Sequence, residues 1–426
     1  MTDMSCLAEG YVVPADFEQT GVNLNEIVVG PTGCGKSYSN AYSRLVHTMN
    51  SSVVVPMAKR DLVKKFGNMF VSRGYEVIDL DFSHPKQCTI GYDPMDFIHS
   101  DRDVIQTARN LIVGGSKTLT GDPDPYWNDS ATSVLAAEIA LVRLQAAERK
   151  RRPSFSEVIA LHQDLALDGS GNLMSTSLDT EFTYYAINKP GNLASELWKT
   201  VKNLAPRTAS CIFSIVNSAL DKIFSDDIIT IMRKRKRVKF AAFGIQKTAL
   251  FITTSPMNKS LQNFINLMYS DMFRELFEIS QHLACGRLPV PVHIICDDFA
   301  CGSRICDFEE YISIFRAAGI SVTMLLQSES QLSAMYGEAA AVTIINNCDT
   351  YIYMGGMDLR TCQNISQRIN KPVHKVLNMP LEQVMVFRRG SDPVIARRYQ
   401  ILNDPLYQEV MVAADNKNVD RRVERQ

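Results

Sequence analysis

NEIVVGPTGCGKS, from Asn25 to Ser37, decides how the rest of the chain is read. A short apolar strand runs directly into Gly30-x-x-x-x-Gly35-Lys36-Ser37, the full spacing of a phosphate-binding loop. Gly30, Gly33 and Gly35 free the backbone to curve so that successive amides face phosphate oxygens, with Thr32 and Cys34 inside the same loop. Lys36 is placed to reach the β- and γ-phosphates. Ser37 opens a helix whose N-terminal amides favour an anion, and its hydroxyl is placed to ligate Mg2+. The expected ligand is a nucleotide.

Length allows one large domain with an insertion, or two to three domains, and 46% hydrophobic with 21% charged residues suits a globular protein with a substantial core. With Lys+Arg 45 against Asp+Glu 46 there is no global basic field, so a nucleic-acid partner has to be held by a local patch. The 10 cysteines contain no C-x-x-C pair and no signal peptide heads the chain, which predicts reduced, mostly buried thiols in the cytosol. Cys296, Cys301 and Cys306 are evenly spaced, yet no histidine stands near to complete a ligand set, so a metal is discounted there. No stretch approaches the ~18 consecutive apolar residues needed to cross a bilayer.

Strand patterns at Ser52 to Val55 and Tyr75 to Leu80 flank a helical stretch from Lys59 to Ser72, a β-α-β unit of a parallel sheet. After the turn-rich Gly121 to Trp127, a helix is expected from Asn128 or Asp129. Strand signals fade between Pro153 and Asp226, as in an inserted helical subdomain. They return at Val238 to Phe243 and Thr248 to Thr253, before a long amphipathic helix, Leu261 to His282. The expected division is an N-terminal extension, 1–24; a nucleotide-binding domain in two parts, 25–150 and 233–406; an all-α insertion, 151–232; and a charged tail, 407–426.

The second decisive stretch is VPVHIICDDFA, Val290 to Ala300. An apolar strand ending in two acids is what Mg·ATP chemistry requires, Asp297 for the metal and Asp298 to orient or deprotonate the attacking water. A helix from Asp307 to Ala318 and a buried strand from Ile320 to Leu326 follow, ending at Gln327. In open parallel sheets ligands gather at the carboxyl ends of strands, so Gly30, Asp297 and Gln327 are expected on one rim. Gln327 is then either a γ-phosphate sensor or a plain polar strand terminator.

From Asp297 onward, DDFACGSRICDFEEYISIFRAAGISVTMLLQSESQLSAMYG resembles the coupling ATPases of bacterial conjugation and type IV secretion, the TraG/TraD group. Tyr92-Asp-Pro-Met-Asp-Phe-Ile98, Asp124-Pro-Tyr-Trp127, Lys247-Thr-Ala-Leu-Phe-Ile252 and Asp392-Pro-Val with Tyr399 extend the likeness from about Glu26 to Tyr407. The resemblance implies a RecA-like α/β P-loop ATPase with a mainly parallel sheet and an inserted all-α subdomain. It further implies a homo-hexameric ring that uses ATP and Mg2+ to pass a transferred DNA strand, with its relaxase, to a type IV secretion channel. Arg316 matches by position the arginine that completes a neighbour's site in such rings. The alternative is a surface arginine paired with Glu309 or Glu310.

Three departures stand out. Asp298 replaces the family's usual glutamate and is one methylene shorter, which predicts slow hydrolysis. Val55-Pro-Met-Ala-Lys59 replaces the usual Asp-Pro-Lys-Gly-Glu. The usual N-terminal membrane helices are missing, so the expectation is a cytoplasmic protein recruited to the inner face of the membrane by a channel or adaptor protein. For sequence-blind contact with single-stranded DNA the candidates are Arg233, Lys234, Arg235, Lys236, Arg237 and Lys239, six cations in seven residues, unless the run is only a solvated face. Two other functions stay open: a nucleotide-gated adaptor with little turnover, and a related DNA-packaging or segregation motor.

Overall fold

The apolar runs around the P-loop bury both sides of a sheet. Ile27 and Val29 face one core and Val28 the other; likewise Leu250 and Ile252 against Phe251, and Met324 and Leu326 against Leu325. This period of two with both faces apolar is the pattern of parallel strands covered by helices on each side. The computed structural model describes residues 2–57, 61–113, 125–164, 177–254, 259–297, 299 and 304–423.

The strands described are β1 (Met4–Ala8), β2 (Tyr11–Pro14), β3 (Glu26–Val29), β4 (Ser52–Met57), β5 (Glu76–Asp81), β6 (Thr248–Thr253), β7 (Val292–Cys296), β8 (Ile320–Leu326), β9 (Thr350–Tyr353), β10 (Gln383–Arg388) and β11 (Val394–Arg397). Nine of them form one sheet in the order β11-β10-β9-β3-β8-β7-β4-β6-β5. From β9 to β5 every pairing is parallel; β10 alone is reversed, antiparallel to β9 on one side and to the edge strand β11 on the other. The expected strands after Ser52 and Tyr75, and at Thr248 and Ile320, all take their places in it.

Val238 to Phe243, expected as a strand, is not one. Only Arg237 bridges to Gly91, and Phe240–Gly244 winds into a 3-10 turn. Phe240 and Phe243 are both wholly buried and stand three apart, the spacing that eclipses in a three-residue helix and that a strand would send to opposite faces. Phe240 stacks on Phe97 at 4.7 Å between centroids, so packing against the Tyr92–Phe97 segment wins over strand propensity.

Between β5 and β6 all the described elements are helices. Pro125–Glu148 packs against Phe155–Gln163, Leu193–Lys202 and Pro206–Ile223, so helices on both sides of the boundary expected at residue 151 share one core. At the other end of the chain, Pro405–Val423 lies against Asp61–Ser72, with the Tyr407 and Phe66 rings 6.3 Å apart.

The first two dozen residues are tied to the sheet rather than trailing from it. The Asp3 carboxylate accepts from the amides of Met49, Asn50 and Ser51 at 2.6, 2.7 and 2.9 Å. Ser5 Oγ donates to Glu26 Oε1 at 2.6 Å, and Asn23 N donates to Asp349 Oδ2 at 2.6 Å. Charge-assisted bonds of this length are about twice as strong as neutral ones.

A second anchor sits under the basic run. Asp93, fully buried, accepts from Ser154 Oγ at 2.7 Å and from Met95 N at 3.0 Å, and pairs with Arg237 at 3.2 Å. Burial lifts its carboxyl above the usual range while Arg237 pulls against that shift. Replacing Asp93 by alanine leaves the buried Arg237 guanidinium with Asp96 alone and takes the acceptor from Ser154 Oγ and Phe155 N, and should cost about 3 kcal/mol or more, read as an earlier urea transition. Arg235→Ala, at an exposed position of the same run, should stay within about 0.5 kcal/mol of the parent.

Candidate active site

The P-loop hangs between β3 and the helix that follows it. Gly30 N donates to Leu326 O at 3.0 Å and Met354 N to Val29 O at 2.7 Å, so the ends of β8 and β9 clamp the loop's first residue. A Cβ on Gly30 would stand 2.7 Å from Cys34 Sγ and 2.9 Å from Met354 Cβ, which makes this glycine a matter of space. Gly33 and Gly35, at φ +82° and +89°, are needed for conformation. Thr32 and Gly33 are exposed at the crown of the loop, and Cys34 and Gly35 are half-buried behind it.

Lys36 is buried, and its Nζ donates to Gly30 O at 2.6 Å and Pro31 O at 3.1 Å. The ammonium therefore spans the mouth of the loop. Ser37 begins a π-helical turn, Ser37–Tyr42, that passes into Ser43–Val46. Wide turns of this kind concentrate at functional sites.

Asp297, immediately after β7, accepts from Ser37 Oγ through its Oδ2 at 2.6 Å. A serine hydroxyl and a carboxylate brought together beside a phosphate loop are an all-oxygen donor set, which fits a hard, small cation such as Mg2+. Burial first and then the Asp297 charge push the neighbouring Cys296 thiol up to about 12, so that sulfur stays protonated and is no competing ligand. Asp298 lies outside the described residues. Phe299 N donates to Leu325 O at 3.1 Å, which holds the chain beyond Asp297 on the β8 side of the rim.

Gln327 follows β8 directly and is exposed, its backbone amide donating to Gln331 Oε1 at 3.2 Å. Because Val29 pairs in register with Leu326, Gln327 stands next to Gly30. The P-loop, Asp297 and Gln327 thus share the rim at the carboxyl ends of β3, β7 and β8.

Arg316 does not. It sits in the last turn of Phe308–Ala318, just before β8 begins at Ile320, and β8 is seven residues long. At ~3.3 Å per residue the guanidinium is about 20 Å from its own P-loop, at the opposite edge, where the amino ends of the strands lie. Among the described residues it pairs with neither Glu309 nor Glu310; Glu309 is engaged by Arg304 at 3.9 Å.

The basic run is split by its environment. The Arg237 side chain is only 8% exposed, bound by Asp93 and by Asp96 at 3.1 Å, so it is withdrawn from any outside partner. Lys234 Nζ reaches Lys86 O at 3.3 Å, and Arg233, Arg235, Lys236 and Lys239 are exposed. Arg235, Lys236 and Lys239 line a groove of about 720 Å³ beside β5.

One residue of the site escapes a linear reading. Arg398, just past β11, donates from Nη1 to Cys34 O at 2.8 Å, and the same atom would lie 3.1 Å from a Cβ on Gly35. The signal was available only as a neighbour of Tyr399, and nothing in its spacing points to a loop 364 residues away.

A family model described as type IV secretory system conjugative DNA transfer matches residues 10–373. Among solved structures, the bacterial conjugative coupling protein TrwB in complex with sulphate aligns at TM-score 0.65 and 18% identity, covering 88% of this chain and 85% of that one. TrwB with ADP and Mg2+ aligns at 0.59 and 17%, again over 88% and 85%. VirB4 of Thermoanaerobacter pseudethanolicus aligns at 0.59 and 12%, over 95% and 98%. No curated protein matches. These likenesses carry the fold, RecA-like with a mainly parallel sheet, as the sequence led one to expect.

Arg398→Ala removes a charged donor from a backbone carbonyl of the P-loop. Such bonds contribute about 1.5–3 kcal/mol, so nucleotide affinity should weaken by about tenfold to a hundredfold in a titration with a fluorescent ATP analogue. An unchanged Kd would show that the loop holds its shape without the guanidinium.

Proposed function

Because this chain belongs to the type IV secretory system conjugative DNA-transfer family, we propose that it is an ATP-driven coupling ATPase that binds DNA and hands a transferred strand, with its relaxase, to a secretion channel. The observation that carries the reading is the 2.6 Å contact between Ser37 and Asp297 beside a fully formed P-loop. In that reading Lys36 exchanges its carbonyl partners for the β- and γ-phosphates, and the loop amides with Gly30, Thr32, Gly33, Cys34 and Gly35 cradle the rest. Ser37 and Asp297 would hold Mg2+, which would supply positive charge beside the phosphates. Asp298 orients water and Gln327 senses the γ-phosphate.

Arg316 serves a neighbouring subunit of a hexameric ring; the strand-length separation from its own P-loop supports this over action within one chain. A guanidinium at the γ-phosphate stabilises transition-state charge and is worth ~10³ or more in rate. Arg233, Lys234, Arg235, Lys236 and Lys239 contact the DNA backbone, and Arg237 fixes the run to the fold. Among the described residues no helix is long and apolar enough to cross a membrane. The protein is then brought to the membrane face by its channel or an adaptor.

The test is ATP hydrolysis by the full chain with and without single-stranded DNA, with Lys36→Ala as the blank. The expected result is Lys36-dependent turnover that DNA stimulates. Nucleotide binding without turnover under either condition would instead identify a nucleotide-gated adaptor, and Asp298→Glu should then raise the rate. Neutralising the five available cations of the basic run should flatten the salt dependence of DNA binding by roughly 3.5 log units per log unit, at about 0.7 per phosphate contact. An unchanged slope would place the DNA elsewhere.

A further inference from the structure

Arg316 is held by an aromatic ring. Its Cζ lies 4.1 Å from the centroid of Phe17, and Arg287 approaches the same ring at 5.0 Å. Arg287 also pairs with Glu18 at 3.4 Å, whereas Arg316 makes no ion pair with any described residue and is exposed. A ring occupies the face of a guanidinium and leaves its in-plane N–H edge unspent; a carboxylate would consume that edge and cancel the charge. The contact therefore fixes where the cation points while keeping it available for phosphate oxygens.

The ring itself is on a firm mount. Phe17 starts a single helical turn, Phe17–Thr20, whose first amides are taken by Asp16 Oδ1 at 2.8 and 3.4 Å. Gly21, at φ +69°, closes the turn by donating to Phe17 O at 2.8 Å. On one side Ala15 N bonds to Asp3 O at 2.7 Å, and Asp3 is bound to residues 49–51; on the other, Asn23 is bound to Asp349. Both flanks of Phe17 are thus anchored to the edge of the sheet at which Arg316 stands. The Arg287 stem completes the cluster by lying over Gly319, 3.2 Å from where a Cβ would be.

We infer that Phe17 is a positioning residue for Arg316, presenting its guanidinium to the nucleotide of a second copy of this chain. The inference rests on the reading of Arg316 as acting across a subunit contact. The N-terminal segment is then a working part of the interface, and its effect falls on the neighbour's turnover and not on nucleotide binding by its own P-loop.

The experiment compares Phe17→Ala, Phe17→Leu, Phe17→Tyr and Arg316→Ala, each alone and mixed with Lys36→Ala protein, reading kcat for ATP with single-stranded DNA present and the Kd of a fluorescent ATP analogue. Phe17→Ala and Phe17→Leu should each lose on the order of tenfold in kcat at unchanged Kd, and Phe17→Tyr should retain parent turnover. Mixing should restore turnover to Phe17→Leu and to Arg316→Ala alike, because Lys36→Ala subunits carry an intact Phe17 and Arg316 to roughly a quarter of the contacts in a head-to-tail ring. If Arg316→Ala is inactive while both Phe17→Ala and Phe17→Leu turn over like the parent, the inference fails and the reading of Arg316 stands. If mixing rescues Arg316→Ala but not Phe17→Leu, Phe17 serves its own subunit and the inference is again overturned. Parent-like turnover by Arg316→Ala overturns both.

Discussion

Parallel pairing is the constraint on which the rest of this molecule depends. When β9, β3, β8, β7, β4, β6 and β5 all run the same way, every loop that leaves a carboxyl end lands on one rim and every helix that returns arrives at the other. The register Val29 to Leu326 and Val29 to Tyr353 then settles which residues meet: Gly30 beside Gln327 and Met354, with Asp297 one strand further on. No side chain needs to travel to assemble that rim. The same rule sends Arg316 and Phe17 to the other edge. The sheet acts as a spacer between two sets of charged groups, and its strand length sets their separation.

What was readable in the linear chain is what is local. The buried strands announce themselves as short β-branched runs, and the P-loop and the paired acids sit at the ends of two of them, so strand, loop and rim follow from spacing alone. The turn at Phe240–Gly244 was misread because Val238 and Phe240 fit a two-residue period, and only the packing of Phe97 and Tyr92 beside Phe240 shows that the three-residue spacing of Phe240 and Phe243 is the one used. Arg237 looked like its neighbours in the basic run because charge density shows nothing about a carboxylate 144 residues earlier in the chain. Arg398 and Phe17 were missed for the same reason. Each works through a contact between segments far apart in sequence, and a lone arginine or phenylalanine has no periodicity to betray it.

The surroundings of the two edges differ in kind. At the rim, a cradle of backbone amides and carbonyls, placed by strand pairing and by glycines with no room or no permitted φ for anything else, is completed by the Lys36, Ser37 and Asp297 side chains. At the far edge they are side chains on short connections: the turn at Phe17, the end of Phe308–Ala318 and the Arg287 loop, held by acids such as Asp3, Asp16 and Asp349 that accept from backbone amides. A backbone-built site tolerates little substitution, whereas a side-chain-built edge can be retuned one residue at a time.

If the chain turns over ATP as proposed, the bonds from Lys36 to Gly30 O and Pro31 O bear on how each cycle would end. A buried ammonium stripped of its anion would ordinarily have to be rehydrated or left unpaired, at a cost of several kcal/mol. Here two carbonyls of the same loop stand ready to take it. On the proposed function, departure of a spent nucleotide would therefore leave no stranded charge on Lys36, because its partners are carbonyls of the loop itself.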